Sequence, residues 1–273
     1  MPLQPSTTEL IAECHALVAE FNARHRRAVA TLPGNPGMVA VESFGEMWAT
    51  RCDLPQAPAW MQRLAPVRAQ EVEVLPRALE WFGTLRPEIE TAPLPGHDTL
   101  ARALSRHGAV QTGFLDLLRG DARHAAVHRR QPGAQGEVEV VQVAPSEAML
   151  FARTLLHGHV ETYYEHEAEG LAGMVGSEGL HHYLARVDGQ PAAGAILSLH
   201  GETAYLANAS ALPEYRDRGC HSALIAARMR DAVAAGCDTV IGLAEVASTS
   251  HRNMERAGLH TLATIAAWTF PGD

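Results

Sequence analysis

The sequence predicts an α/β protein of the α+β kind, with a mixed, mostly antiparallel sheet flanked by helices and the whole pattern duplicated. Three observations lead there. Short β-branched and apolar runs alternate with amphipathic stretches at helical spacing. Several of those stretches stop at a glycine, as at Gly108, Gly236 and Gly258. One order of elements, helix–strand–helix–glycine–strand, occurs over residues 76–118 and again over 220–270. With 273 residues, 47% of them hydrophobic and 19% charged, the chain has room for one large or two modest domains.

The elements follow in order. Ser6-Thr7-Thr8-Glu9 is a capping box, and behind it Leu10, Cys14, Leu17, Val18 and Phe21 recur at helical spacing. Strands are expected near Met38–Ser43 and Met47–Cys52, whereas Pro55 to Pro66 reads as irregular or loosely helical. A helix over Pro76–Thr84, a strand at Glu88–Ala92, a helix from Asp98 or Thr99 to His107 and a strand over Ala109–Leu118 complete the first half. Arg129–Gly136 reads as a linker, which divides the chain into 1–130 and 137–273.

The second half opens on the valine-rich strand from Val138 and a helix begun by Pro145-Ser146. Strands near Tyr183–Val187 and Ala192–Leu199 flank Asp188-Gly189, the dipeptide a tight hairpin needs. A third strand is expected from Thr203 to Ala209, then a loop over Pro213–Gly219. A helix over Cys220–Ala235 would bury Ile225, Met229, Ala232 and Val233. Strand Thr239–Ala244, helix Ser248–Ala257 and strand His260–Phe270 close the chain. Arg106-His107-Gly108-Ala109 stands in the first half where Arg256-Ala257-Gly258-Leu259 stands in the second, so the first half reads as a degenerate copy.

Composition removes several functions. A net charge of −9 argues against a nucleic-acid binder, which needs a basic face, and is compatible with an amine substrate. No apolar run spans a bilayer, and the N-terminus lacks the order of a signal peptide. Cys14, Cys52, Cys220 and Cys237 form no CxxC pair, which argues against a disulfide framework or a zinc ribbon. A soluble, cytoplasmic protein is expected.

Chemistry concentrates in Arg216-Asp217-Arg218-Gly219-Cys220-His221-Ser222. A glycine turn that opens a helix gathers unpaired amide N–H groups and the positive end of the helix dipole at one point. Arg216 and Arg218 would add charge-assisted bonds, and Gly219 would let a phosphate approach the backbone. An arginine-rich surface turn would read the same way.

Ala211 to Leu224 as a whole resembles the acetyl-CoA signature of the GNAT superfamily of N-acetyltransferases: a strand, a proline, then Arg-x-x-Gly-x-Gly/Ala running into a helix. Ser248 to Leu259 looks like that family's second cofactor segment. The resemblance covers about residues 137–273 and extends to members with two tandem copies, of which the first has lost its cofactor loop. It implies that backbone groups of Ala209 and Ala211 pair with the pantetheine arm of acetyl-CoA. The amides of Asp217, Arg218, Gly219, Cys220, His221 and Ser222 would hold the pyrophosphate, and Ser250 and Asn253 would lie beside the pantetheine or the leaving thiolate. His221 departs from the usual Gly or Ala, Met254 from a frequent tyrosine general acid, and Ala247 from a frequent asparagine.

Acyl transfer to an amine needs a base, and Glu245, at a strand end facing the thioester, is the first candidate, with Glu161 and the histidines near it as second choices; a solvated strand-end carboxylate would look the same as Glu245. Glu245 and Ser250 are therefore the expected catalytic residues. His157 to Glu167 can be an acceptor-facing wall, a solvated helix face or a metal cluster; its spacing fits no zinc pattern, so no metal is expected. The implied activity is N-acetyl transfer to a small-molecule or peptide amine, with a catalytically silent acyl-CoA-binding or interaction protein as the alternative. No nucleic-acid or membrane partner is expected, and a homodimer is left open.

Overall fold

The computed structural model describes residues 5–32, 39–53, 61–125, 138–159, 163 and 165–271. The expected linker 129–136 lies outside them. The chain forms two compact units, Met1–Leu117 with Leu262–Asp273, and Leu118–Thr261.

The first unit opens on α1 (Thr7–Ala30). Its predicted capping box forms: Ser6 Oγ accepts from the Glu9 amide at 3.3 Å, and the Glu9 carboxylate accepts from the Ser6 amide at 2.7 Å. Strands β1 (Val39–Phe44) and β2 (Met47–Cys52) pair as a hairpin, and β3 (Arg63–Val67) runs antiparallel to β2. The last of these corrects the expectation of irregular or loosely helical chain up to Pro66. Its proline reads as a breaker, but Leu64, Ala65 and Val67 are buried, and the register with the next strand shifts between Leu64 and Val67 beside Pro66.

That next strand is β4 (Glu88–Thr91), parallel to β3, and α2 (Leu75–Phe82) connects the two. Helix α3 (His97–Arg106) and strand β5 (Val110–Asp121) follow, and the chain returns at its end as β12 (His260–Thr269). In β12, Ala266–Trp268 pair antiparallel with Ile89–Thr91 of β4. Leu64, Leu75, Phe82, Ile89, Leu100 and Leu104 make the core of this unit. Within it the Glu90 carboxylate lies 3.4 Å from His15 Nε2 and 3.3 Å from Arg63 Nη2. Burial opposes ionisation of Glu90, but the Arg63 charge and the His15 contact outweigh it and hold the carboxyl at about 2.

The second unit contains α4 (Ala122–Ala125), β6 (Val138–Gln142), α5 (Ala148–His159), α6 (Glu165–Gly173), β7 (Leu180–Val187) and β8 (Gln190–His200). It continues with β9 (Thr203–Tyr205), β10 (Ala209–Ala211), α7 (Cys220–Ala234), β11 (Thr239–Glu245) and α8 (Thr249–Arg256). Among the described residues its strands lie in the order β11-β9-β8-β7-β6, with β10 also on β8; of these pairs β11–β9 is parallel and the others antiparallel. The mixed, mostly antiparallel sheet flanked by helices is thus the predicted one. Asp188 (φ 52°) and Gly189 (φ 75°) both take the left-handed conformation that the β7–β8 hairpin requires.

One expectation fails here. The predicted single strand Thr203–Ala209 is two strands separated by a bulge, in which the Ile196 amide donates to both Ala207 O and Asn208 O at 3.1 Å each. Asn208 takes φ 27°, a backbone region asparagine tolerates without the glycine that would have signalled the break.

Candidate active site

The bulge opens the sheet. Strand β9 is parallel to β11 from Thr203↔Thr239 to Tyr205↔Ile241, and the Leu206 amide extends this pairing with a 2.9 Å bond to Ile241 O. After the bulge β10 stays with β8 alone. The Ile196–Asn208 and Leu212–Ala192 bonds set the alternation, so Ser210 directs its backbone groups at β8. Ala209 and Ala211 turn theirs the other way, into the gap beside the end of β11.

At the foot of this gap the chain turns into α7. Asp217 (φ 62°) and Gly219 (φ 81°) are both left-handed, and Gly219 is the N-cap. The Ala223 amide bonds Gly219 O at 3.0 Å. Among the described residues, the amides of residues 217 to 222 donate to no backbone carbonyl. Six amides without a backbone partner thus lead into the positive end of the α7 dipole, an arrangement that suits a pyrophosphate.

The side chains of the loop differ in role. Arg216 is exposed and reaches Gly158 O at the end of α5, at 3.4 Å. Arg218 lies 5.6 Å over the Tyr215 ring, and Ser222 is exposed. Cys220 is buried with its thiol directed at Tyr215 O, and burial raises its pKa, so it is a packed thiol rather than a nucleophile. His221 turns towards α8: its Nδ1 lies 3.1 Å from Asn253 Nδ2, and its Nε2 lies 3.5 Å from Ser250 Oγ.

This contact assigns a proton. Arg256 Nη1 donates to Asn253 Oδ1 at 2.7 Å, so the Asn253 amide nitrogen faces His221 and donates. Nδ1 of His221 is then an acceptor, Nε2 carries the hydrogen, and Ser250 Oγ receives it. Burial, with the nearby Arg228 charge, pulls the His221 pKa down to about 4 and keeps the ring neutral. The structure thus brings together His221, Ser250 and Asn253, three residues predicted for the site.

Glu245 ends β11 with an exposed side chain that has no hydrogen-bond partner among the described residues. Its carbonyl accepts the Ser248 amide at 3.1 Å, which turns the chain into α8. Ala247, in the place where the resemblance would put asparagine, has φ 58°. Met254 is buried with its sulfur packed close to Gly242.

Glu161 lies outside the described residues. Near it, His157 Nε2 meets Tyr163 OH at 3.3 Å and Arg153 Nε donates to Glu165 at 3.1 Å, tying the end of α5 to the start of α6. Among the described residues, no group of three or more His, Cys, Asp or Glu is placed to hold a metal. No helix among them is long and apolar enough to cross a membrane.

Sequence reasoning missed Arg228. It is fully buried in α7, donating from Nε to Leu224 O (3.1 Å) and from Nη1 to Ile196 O (3.0 Å) and Ala207 O (3.1 Å). Position 228 is three after Ile225 and four before Ala232, so helical spacing did put it on the buried face.

A family model of the acetyltransferase (GNAT) domain matches residues 99–243, just over half the chain. The fold is similar to that of a GCN5-related N-acetyltransferase from Kribbella flavida, at 17% identity over 94% of this chain and 96% of that one, TM-score 0.59. Another GCN5-related N-acetyltransferase, from Sphaerobacter thermophilus, has 13% identity over 98% and 95% of the two chains, TM-score 0.58. A tandem GNAT protein from the clavulanic acid biosynthesis pathway has 16% identity over 98% and 96%, TM-score 0.59. Identities this low speak for the fold. No curated protein matches the chain in sequence. A matching domain model and the same sheet-and-helix architecture together make this chain a member of the GNAT acetyltransferase family, an acyltransferase.

Proposed function

We propose that the protein transfers an acetyl group from acetyl-CoA to an amine of a small molecule or peptide, and that the second unit carries the site. What supports this is that amides 217–222 at the start of α7 have no backbone partner and that Ala209 and Ala211 turn their backbone groups away from β8. The loop amides, with Arg216 and Arg218 at its rim, would hold the pyrophosphate; Ala209 and Ala211 would hydrogen-bond the pantetheine as one more strand. Acetyl-CoA supplies the activated acyl group. Glu245, free at the end of β11, would take the amine's proton directly or through water. Ser250, fixed by His221, keeps its own hydroxyl hydrogen to donate towards the cofactor's sulfur.

The order α2, β4, α3, β5 in the first half matches the order α7, β11, α8, β12 in the second, and α3 and α8 end alike. The Gly108 amide bonds Ser105 O, the Gly258 amide bonds Glu255 O, and both glycines are left-handed (φ 86° and 92°). We read the first half as a second copy without a cofactor loop.

Gly219→Trp tests the site, because a side chain there fills the space a phosphate would enter and is strained at φ 81°. Calorimetry with CoA should show binding lost while circular dichroism keeps the fold; unchanged affinity removes the loop from the mechanism.

A further inference from the structure

Arg228 is an expensive residue to bury. It has no exposure to solvent, and among the described residues no carboxylate pairs with it. Among the described residues, Nη2 has no hydrogen-bond partner. Burial lowers its pKa to about 10, which leaves the guanidinium charged at neutral pH. A buried cation without a counter-charge works against folding, so packing alone does not account for an arginine here.

Its contacts lie on the bulge. In a regular ladder continued from β9, the Ala207 amide would donate to Ile196 O. It bonds Tyr205 O instead, at 2.9 Å, and Arg228 Nη1 takes its place on Ile196 O while also donating to Ala207 O. One nitrogen thus bridges the two strands where the extra residue is inserted. That insertion sets the register of β10. Without it, Ala207 alone would oppose Ile196 and Ala209 would oppose Gly194, a shift of one residue that exchanges the two sides of the strand. Ala209 and Ala211 would then face β8, and Ser210 would face the gap.

We infer that Arg228 is a positioning residue for acyl transfer: its guanidinium staples the Ala207–Asn208 bulge and thereby turns the Ala209 and Ala211 backbone outward. The part played by those amides rests on the function proposed above; the staple itself does not. Of the carbonyls Arg228 touches, Ala207 O also receives the Ile196 amide, and Leu224 O lies in the helix ladder. Arg228→Met therefore deprives only Ile196 O, which a straightened strand would satisfy.

The test is amide exchange by NMR on the full-length, cofactor-free Arg228→Met variant, with CoA affinity by calorimetry. The Ala209 and Ala211 amides should slow by about tenfold or more and the Ser210 amide should quicken, while CoA binds about tenfold more weakly. An unchanged exchange pattern overturns the staple. The exchanged pattern with unchanged CoA affinity supports the staple and refutes the use of these amides by the cofactor. Should the methionine variant not fold, Arg228→Gln keeps a donor too short to bridge both carbonyls. It should shift the same three amides partway, and wild-type exchange in it overturns the staple equally.

Discussion

Gly158→Ala pits helix propensity against packing. Gly158 lies in the last turn of α5, and an alanine Cβ there would run into Ser210 Oγ, and would meet Ser210 Cβ at 2.6 Å and the Ala211 carbonyl carbon at 3.1 Å. Replacing a helical glycine gains at most about 1 kcal/mol. Against this stand overpacking, at roughly 1–3 kcal/mol, and the 2.6 Å bond from Ser210 Oγ to Leu155 O, worth about 1 kcal/mol. Ser210 Cβ and the Ala211 backbone cannot swing aside, so packing wins and the variant loses roughly 2 kcal/mol. That corresponds to a fall of roughly 4–8 °C in Tm for a unit of this size. Far-UV circular dichroism is the assay, because the four tryptophans, at 48, 60, 81 and 268, all fall outside residues 118–261. CoA affinity should fall as well, since β10 must move. A Tm equal to or above wild type would refute the tight seating of α5 on β10.

Three further outcomes are expected. His221 has a folded pKa of about 4 against 6.5 unperturbed, so between these values the unfolded chain binds a proton that the folded chain does not. Stability then falls on acidification from pH 7 to 4 by up to about 3 kcal/mol, and urea titrations should show His221→Asn losing that much less; equal slopes refute a neutral, buried ring. Glu245→Gln should lower turnover across an amine panel and flatten the acid limb of the pH–rate profile, and an unaltered profile removes it as the base. Tyr183→Phe deletes the 2.6 Å bond from the buried hydroxyl to Asp231, at a cost of about 1 kcal/mol in chemical denaturation. An unchanged midpoint would show that the hydroxyl contributes nothing net.

Much of this was legible in local chemistry. Ser6 and Glu9 cap α1 three residues apart, Asp188-Gly189 closes a hairpin, and Gly219 opens α7, each through atoms within one turn of chain. Helical spacing and β-branched runs gave most of the element order, because amphipathic faces are written at fixed periods. Strand β3 escaped because its proline, Pro66, is a local breaker, while its burial and its shifted pairing with β4 depend on partners 25 residues away, as in Arg63↔Glu88.

The residues of the cofactor loop, and their likeness to a family signature, could be read from the sequence; what His221 does there could not. Its ring bonds Ser250 and Asn253, about thirty residues on, and only that contact fixes its tautomer and leaves the loop amides clear. The sequence by itself determined most of the order of elements, the caps and turns, and the glycine loop, since these depend on residues within a few positions of one another. Only the tertiary structure decided the bulge at Ala207–Asn208, the burial of Arg228 beneath it and the outward turn of Ala209 and Ala211. A strand's register is set by its neighbours across the sheet, and those neighbours are far away in the chain.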